Sequence, residues 1–488
     1  MKSKLLLMHI SILLIAVFSV LASPKDSPLF SRLINAPFEG PEAVAGTYML
    51  GPKEDMVRQQ AALNGVQSMM MKYSSLSMDS VEIGSEYTIN VSDMGAGVSY
   101  DETFTVTLIG SHGIILVTKE AYDGFDGEYY RFANPIGDDS KPWLRKEDLL
   151  TPAQLSYLLS EFDNNIYPTD TRVFGEPLPR GSEGQKVWIL LHNIRDEAYY
   201  DPEAMFYVAG YFSASEDLEN NKNMMHIDTY DWLNRTGPDS KRPFLYEGVF
   251  AHEFEHLIHF DHDPDEPSWV DEGCADLAGY ICGYGHPSGH VAYYLAFHPI
   301  VSLTFWGGGL QDYGASYLFL LYLYEKYGGD AFITNLVLEQ ANGIEGIQNN
   351  LNKSGHNISF SRLFDNWTMA NYLDNTSFMD GRYGYESIDI GSDDSWGYTI
   401  QIALEIIWEH PYETAPFNIS SDWTGANPQP YTAHYFPFYN DNIAKLSAAG
   451  DEFAGVVPYS GNYEWYSGAD AWAWRGISQT FEIPSGGA

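Results

Sequence analysis

At 488 residues the chain has length for about two to four domains with full hydrophobic cores. Its 66 Asp and Glu against 26 Lys and Arg give a net charge of −40 and a pI near 4.4, the wrong sign for gripping nucleic acid or an anionic membrane. Two cysteines, Cys274 and Cys282, exclude a disulfide framework and read best as buried thiols.

The chain opens with a basic Met1-Lys2-Ser3-Lys4 followed by the apolar run Leu5 to Leu21. Val20 and Ala22 supply small residues at the −3 and −1 sites, so residues 1–22 read as a signal peptide and the protein as secreted. No cysteine follows that run to carry a lipid, and no second apolar run of about 20 residues predicts a transmembrane anchor. Residues 23–80 show no clear period, apart from a candidate helix over Gln59 to Tyr73. Residues 81–135 predict a small β-domain. Its strands are expected at Glu86 to Val91, Phe104 to Ile109 and Ile114 to Val117, with Gly110 to Gly113 turning the chain before the last. Thr151-Pro152 starts a helix, Thr151 as cap and Pro152 at the first helical position. Lys186 to Leu191, Met205 to Phe212 and Met224 to Ile227 are further strand candidates.

The chemistry lies downstream, in Ala251 to Tyr280. His252-Glu253-Phe254-Glu255-His256 is an H-E-x-x-H pattern, behind a helix start marked by Pro243 and an apolar side of Val249, Phe250, Phe254, Leu257 and Ile258. On a helix, positions i and i+4 share a face, so His252 and His256 can present two imidazoles to one zinc ion. Glu253 sits beside them, placed to act as a base without ligating. A catalytic zinc needs a third protein ligand and an open position. Ser268 can cap a second helix near Trp269, with Glu272 early on it as third ligand. Asp276 lies one turn further, as acceptor for the free N–H of a ligating imidazole. His262 is a rival third ligand, since the run also reads H-E-x-x-H-x-x-H-x-x-H. That pattern wants Gly where this chain has His259, and it gives Glu272 and Asp276 no task. Glu272 is therefore preferred, leaving His259 and His262 as helix-end residues favoured by the dipole.

With His252-Glu253-x-x-His256 and Glu272-x-x-x-Asp276, the chain resembles the gluzincin zinc metallopeptidases. Trp269-Val270-Asp271-Glu272-Gly273 is similar to the W-L-N-E-G signature of hyicolysin-like and immune inhibitor A-related secreted peptidases, with Asp271 in place of the usual Asn. Gly210-Tyr211-Phe212, Tyr313-Gly314-Ala315-Ser316-Tyr317 and Phe364-Asp365-Asn366-Trp367 fall in the order such proteins show, so the resemblance spans roughly residues 140–375. It implies an α+β fold: a thermolysin-like two-lobed metallopeptidase core over 136–390, with a β-rich N-terminal region and a C-terminal β-sandwich-like region. It also implies that 23–80 is a leader or propeptide-like segment, a plain extension being the alternative. Gly210-Tyr211-Phe212 becomes a candidate sheet edge for substrate, with an ordinary core strand as the other reading. Tyr313 is the candidate oxyanion donor, with Tyr317, His286 and His290 as alternatives.

Beyond the motif, Tyr313 to Tyr327 predicts a long helix ended by Gly328-Gly329, Asp330 caps the next, and Ser361 to Tyr372 is another. From 391 to 488 the texture turns to Trp, Tyr, Pro and Gly with short alternating strands. That predicts a β-rich accessory domain suited to surface or polysaccharide contact and cut short at its end. Asp261, Asp263, Asp265 and Glu266 offer oxygen ligands that suit calcium, or form a solvated acidic loop. Sequons at Asn90, Asn234, Asn352, Asn357, Asn366, Asn375 and Asn418 matter only in a glycosylating host. The expected activity is zinc-dependent hydrolysis of protein or peptide substrates, with Glu253 as general base. The alternatives are a zinc hydrolase of a non-peptide substrate, and a surface- or carbohydrate-binding protein with a degenerate peptidase domain.

Overall fold

A computed structural model describes residues 41–73, 81–133, 147–391, 400, 430–433, 435, 445–448 and 479–482. The expected signal peptide, and most of the expected accessory domain at 391–488, lie outside them. The described residues form an α+β fold in two compact units. The first unit takes 41–73, 81–133, 147–289 and 323–350, and the second takes 290–322 and the described residues from 351 onward.

In the first unit the strands are β1 (Glu42–Ala45), β2 (Glu86–Asp93), β3 (Val98–Ile109), β4 (Gly113–Thr118), β5 (Tyr130–Ala133), β6 (Glu147–Leu150), β7 (Val187–Leu191), β8 (Phe206–Tyr211) and β9 (Asn223–Ile227). Among the described residues seven of them make one mixed sheet in the order β1-β8-β9-β7-β4-β3-β2, while β5 and β6 pair separately. The centre, β4-β7-β9, is parallel, and β4 and β7 are buried along their whole length. Such unbroken apolar runs belong to strands covered on both faces. Ile89, Val91, Phe104, Val106, Ile114, Leu116, Trp188, Leu190 and Met224 form the core on one of those faces.

Two expectations change here. The strands of 81–135 do not stand apart as a small β-domain. β2, β3 and β4 are one flank of the large sheet, because buried β4 finds a parallel partner in the distant β7. Of the two readings of Gly210-Tyr211-Phe212, the core strand holds and the free edge does not. β8 lies between β1 and β9, and the edge is β1, four residues from the 23–80 stretch. A four-residue strand leaves no period in the sequence and is fixed only by the neighbour it joins.

The longer helices up to residue 281 are α1 (Pro52–Asn64), α2 (Val66–Tyr73), α3 (Pro152–Glu161), α4 (Tyr167–Val173), α5 (Ala214–Asn220), α6 (Leu245–His262) and α7 (Ser268–Ile281). The helix expected over Gln59 to Tyr73 is two, parted at Gly65, whose φ of +79° suits glycine. Thr151 closes a capping box on α3 with Gln154. α6 packs on β8 and β9 and lies along α7. Those two helices meet at Gly248 and Gly279, where a Cβ on Gly279 would stand 3.6 Å from the Gly248 Cα. α7 begins at Ser268 itself with Pro267 before it, so Ser268 is its first residue and not its cap.

The second unit contains most of α8 (Ser288–Phe297) and α9 (Leu310–Tyr327) and the whole of α12 (Phe360–Leu373); α10 (Asp330–Val337) and most of α11 (Gly343–Lys353) belong to the first. Trp367 of α12 is buried against Tyr294 and Phe319. β10 (Lys445–Ala448) and β11 (Gln479–Glu482) form an antiparallel pair. Both cysteines are free and buried. Among the described residues no helix is long and apolar enough to cross a membrane.

The C-terminal end of α6 is pinned by a dry ion pair. Asp261 accepts the Leu178 amide at 2.7 Å and the Arg180 guanidinium at 3.0 Å, and both side chains are fully buried. Arg180→Met strands the carboxylate without a counterion, and is expected to cost about 3–5 kcal/mol. Equilibrium urea unfolding measures this as a lowered midpoint.

Candidate metal centre

α6 puts His252 and His256 one turn apart on a buried face, and α7 brings Glu272 against them. The Nε2 atoms of the two rings are 3.1 Å apart, and Glu272 Oε2 lies 3.1 Å from that of His252 and 3.3 Å from that of His256. All three side chains are at most 9% exposed. The opposite ring nitrogens also face carboxylates: His252 Nδ1 stands 3.1 Å from Asp276 Oδ1, and His256 Nδ1 stands 2.9 Å from Asp271 Oδ1. Each Nδ1–H donating to its carboxylate leaves both Nε2 lone pairs aimed at one point.

The electrostatics demand positive charge at that point. Burial opposes charging of His252, yet the Asp276 and Glu272 carboxylates outweigh it and raise its pKa to about 10. Burial likewise opposes charging of His256, and Asp271 with Glu272 raises it well above the usual histidine value. Burial would push Glu272 up, but the His256 and His252 rings hold it down. Two close nitrogen lone pairs and a carboxylate in a dry interior repel unless protons or a cation stand between them.

The donor set fits zinc. Ligands about 2.0–2.1 Å from a tetrahedral ion lie roughly 3.3 Å from one another, close to the three edges found here. Among the described residues this group has three protein members, the number that leaves one tetrahedral position open. Of two other groupings, Glu255/His256/Asp271 shares His256 with it, and Glu255/His259/Cys274 shares Glu255 with that one.

Glu253 is next to the cluster without joining it. It is 1% exposed, its Oε1 has no partner, and its Oε2 accepts the Thr47 hydroxyl at 3.2 Å. Burial, opposed by the His252 and His256 charges, leaves its pKa raised to about 7. β8 passes so close that a Cβ on Gly210 would meet Glu253 Cγ at 2.9 Å. A side chain at 210 would displace the carboxylate.

The other expected residues fall elsewhere. His262 turns to the Glu176 carbonyl at 3.0 Å, away from the cluster. His259 sits in the last turn of α6 as expected, buried there, and faces Glu255 at 3.0 Å. Within the Asp261 to Glu266 run, Asp263 and Glu266 hydrogen-bond to one another, and the other contacts point elsewhere. Asp261 faces Arg180, Glu266 accepts the Gly343 amide at 2.7 Å, and the Asp265 carbonyl accepts Asn342 at 2.8 Å. Tyr313 and Tyr317 are fully buried in the second unit, where Tyr313 packs against His290 and Trp306. His286 stacks on Tyr280 in the first. Asp271, Arg58 and Thr47 are three residues at the site with no role expected from sequence. Asp271 orients His256, and Arg58 reaches Asp271 at 3.4 Å. The acidic replacement for Asn in the W-V-D-E-G run was the one available signal for Asp271; Arg58 and Thr47 carry none.

No protein-family model matches the chain, and no curated protein matches it. Four chains of solved structures do. One is a functionally unknown conserved protein from Bacillus anthracis str. Ames, 11% identical with a TM-score of 0.23, covering 53% of this chain and 49% of that one. The chain therefore spans about half the length of that protein, at a likeness too low to inform fold or activity.

Asp276→Ala removes the acceptor that orients His252. It is expected to weaken zinc affinity by about 10–100-fold, measured by competition with a chromogenic chelator.

Proposed function

We propose that this chain is a secreted zinc-dependent endopeptidase of the gluzincin kind, with a thermolysin-like two-lobed core. The observation that carries the proposal is the meeting of His252 Nε2, His256 Nε2 and Glu272 Oε2 within 3.3 Å, with a buried, unligated Glu253 beside them. A structural zinc is usually closed by four protein ligands, commonly with cysteine, whereas three ligands and a free carboxylate suit catalysis. Zinc bound here supplies a Lewis acid for a scissile carbonyl and makes water more acidic.

The chain's own residues do the rest. Asp276 and Asp271 hold protons on the Nδ1 atoms and so fix both rings. Glu253, with a pKa near 7 in the metal-free site, takes a proton from the attacking water at Oε1 and passes it to the leaving nitrogen. Its burial excludes bulk water from that transfer. The preference for a peptide over a small molecule rests on the resemblance of the H-E-x-x-H and W-V-D-E-G runs to those of secreted peptidases. Tyr313 stays a candidate oxyanion donor on the strength of the resemblance alone.

Glu253→Gln keeps the shape and removes the base. Elemental analysis is expected to find zinc retained at wild-type stoichiometry. Casein hydrolysis is expected to fall by about 10²–10⁴-fold against wild type purified in the same form. Undiminished hydrolysis would show that Glu253 is not the base. Removing the metal with a chelator is expected to abolish hydrolysis, and restoring zinc to recover it.

A further inference from the structure

The last turns of α6 carry a second set of donors beside the first. Glu255 and His259 are four residues apart, so a helix presents them on one face. α7 adds Cys274, two residues after Glu272, and all three side chains are buried. His259 Nδ1 lies 3.0 Å from Glu255 Oε1 and 3.5 Å from Asp271 Oδ1. Those distances stand on either side of the roughly 3.3 Å edge expected between oxygen and nitrogen ligands of a tetrahedral zinc. Glu255, His259 and Cys274 each offer a ligand atom within 4.8 Å of the other two, and none of them belongs to the His252/His256/Glu272 group. An edge to a thiolate sulfur is about 3.6 Å, so an ion would draw these side chains together by at most about 1 Å.

An ion pair between Glu255 and a protonated His259 is the simpler reading, and it leaves two atoms unexplained. Glu255 Oε2 and His259 Nε2 are both buried with no hydrogen-bond partner. His256 Nδ1 is 3.9 Å from that Oε2 and is already committed to Asp271 at 2.9 Å. A buried polar atom left without a partner is costly, and a neutral thiol is too weak a donor to offset it. A cation serves the whole group. Carboxylate, imidazole and thiolate together suit zinc, whereas calcium and magnesium take oxygen alone. Glu255, Asp271 and a Cys274 thiolate bring three negative charges, which the ion and the Arg58 guanidinium, 3.4 Å from Asp271, balance.

We propose that Glu255, His259 and Cys274, closed on the fourth side by Asp271, hold a second zinc ion that ties α6 to α7. Binding forms a zinc–sulfur bond and releases the Cys274 thiol proton to solvent. Cysteine among the ligands and closure by protein on every side mark a structural ion, in contrast to the open position of the first group. The proposal rests on these residues of α6 and α7 and stands whether or not the first group cleaves peptides.

The test uses the full chain, loaded with zinc or with cobalt, in wild-type form and as Cys274→Ala, Cys282→Ala and His252→Ala. Elemental analysis after desalting counts metal per chain. Absorption of the cobalt form reads sulfur ligation directly, through a thiolate-to-metal charge-transfer band that oxygen and nitrogen ligands do not give. Circular dichroism checks folding. Wild type is expected to carry about two ions per chain and to show the band, and Cys274→Ala to carry about one and lose it. Cys282→Ala is expected to match wild type, and His252→Ala, which damages the first group alone, to keep the band. A cobalt-loaded wild type without the band would overturn the proposal, even if Cys274→Ala failed to fold. So would a band that survives Cys274→Ala, or one lost in a folded His252→Ala, because the ion would then sit elsewhere or be shared with the first group. A single ion per chain that shows the band would uphold the second site and count against the first.

Discussion

Three electron-rich atoms held within about van der Waals range in a dry interior are the constraint on which the first unit turns. Two imidazole nitrogens and a carboxylate oxygen at 3.1–3.3 Å are tolerable only with positive charge among them. The protein builds toward that charge from behind, with Asp276 and Asp271 on the far nitrogens and Arg58 backing Asp271. Such an arrangement is expensive for a scaffold and reasonable for a cation site. Its expense also explains why so much nearby structure is devoted to rigidity.

That rigidity has identifiable sources. α6 is bedded on β8 and β9, and its end is fastened through Asp261 to Arg180 and the Leu178 amide. α6 and α7 run against one another past Gly248 and Gly279, and α7 carries Glu272 within reach of both rings. Gly210 lets β8 graze Glu253. Of these, Gly210 is the one whose Cβ would collide, with Glu253 Cγ at 2.9 Å.

What the sequence made legible was the part of this that is local. The i,i+4 spacing put His252 and His256 on one face. The i,i+4 step from Glu272 to Asp276 lies along α7, and the structure sets both acids around the His252 ring. The apolar runs at Lys186 to Leu191 and Ile114 to Val117 marked buried strands. The rest was set by contacts distant along the chain. Thr47 meets Glu253 across 206 positions and Arg58 meets Asp271 across 213, and no pattern within a window of residues announces such pairs. For the same reason β8 could be read as an edge or as a core strand, and 81–135 read as a separate domain. Which strands share a sheet is decided by partners, and the partner of β8 is a four-residue strand in a stretch without periodicity.

The parallel ladder between β1 and β8 carries a cost that appears only when it is undone. A sheet that loses its outermost strand exposes a row of bare amides and carbonyls, and such a row pairs with whatever extended chain it meets first. A molecule freed of its N-terminal segment would be at its stickiest at that moment. Crowded with its own kind it would self-associate; diluted among foreign polypeptides it would bind them instead. Solubility after release would then depend on the company the protein keeps, and its 66 acidic residues against 26 basic ones supply the mutual repulsion that keeps copies apart.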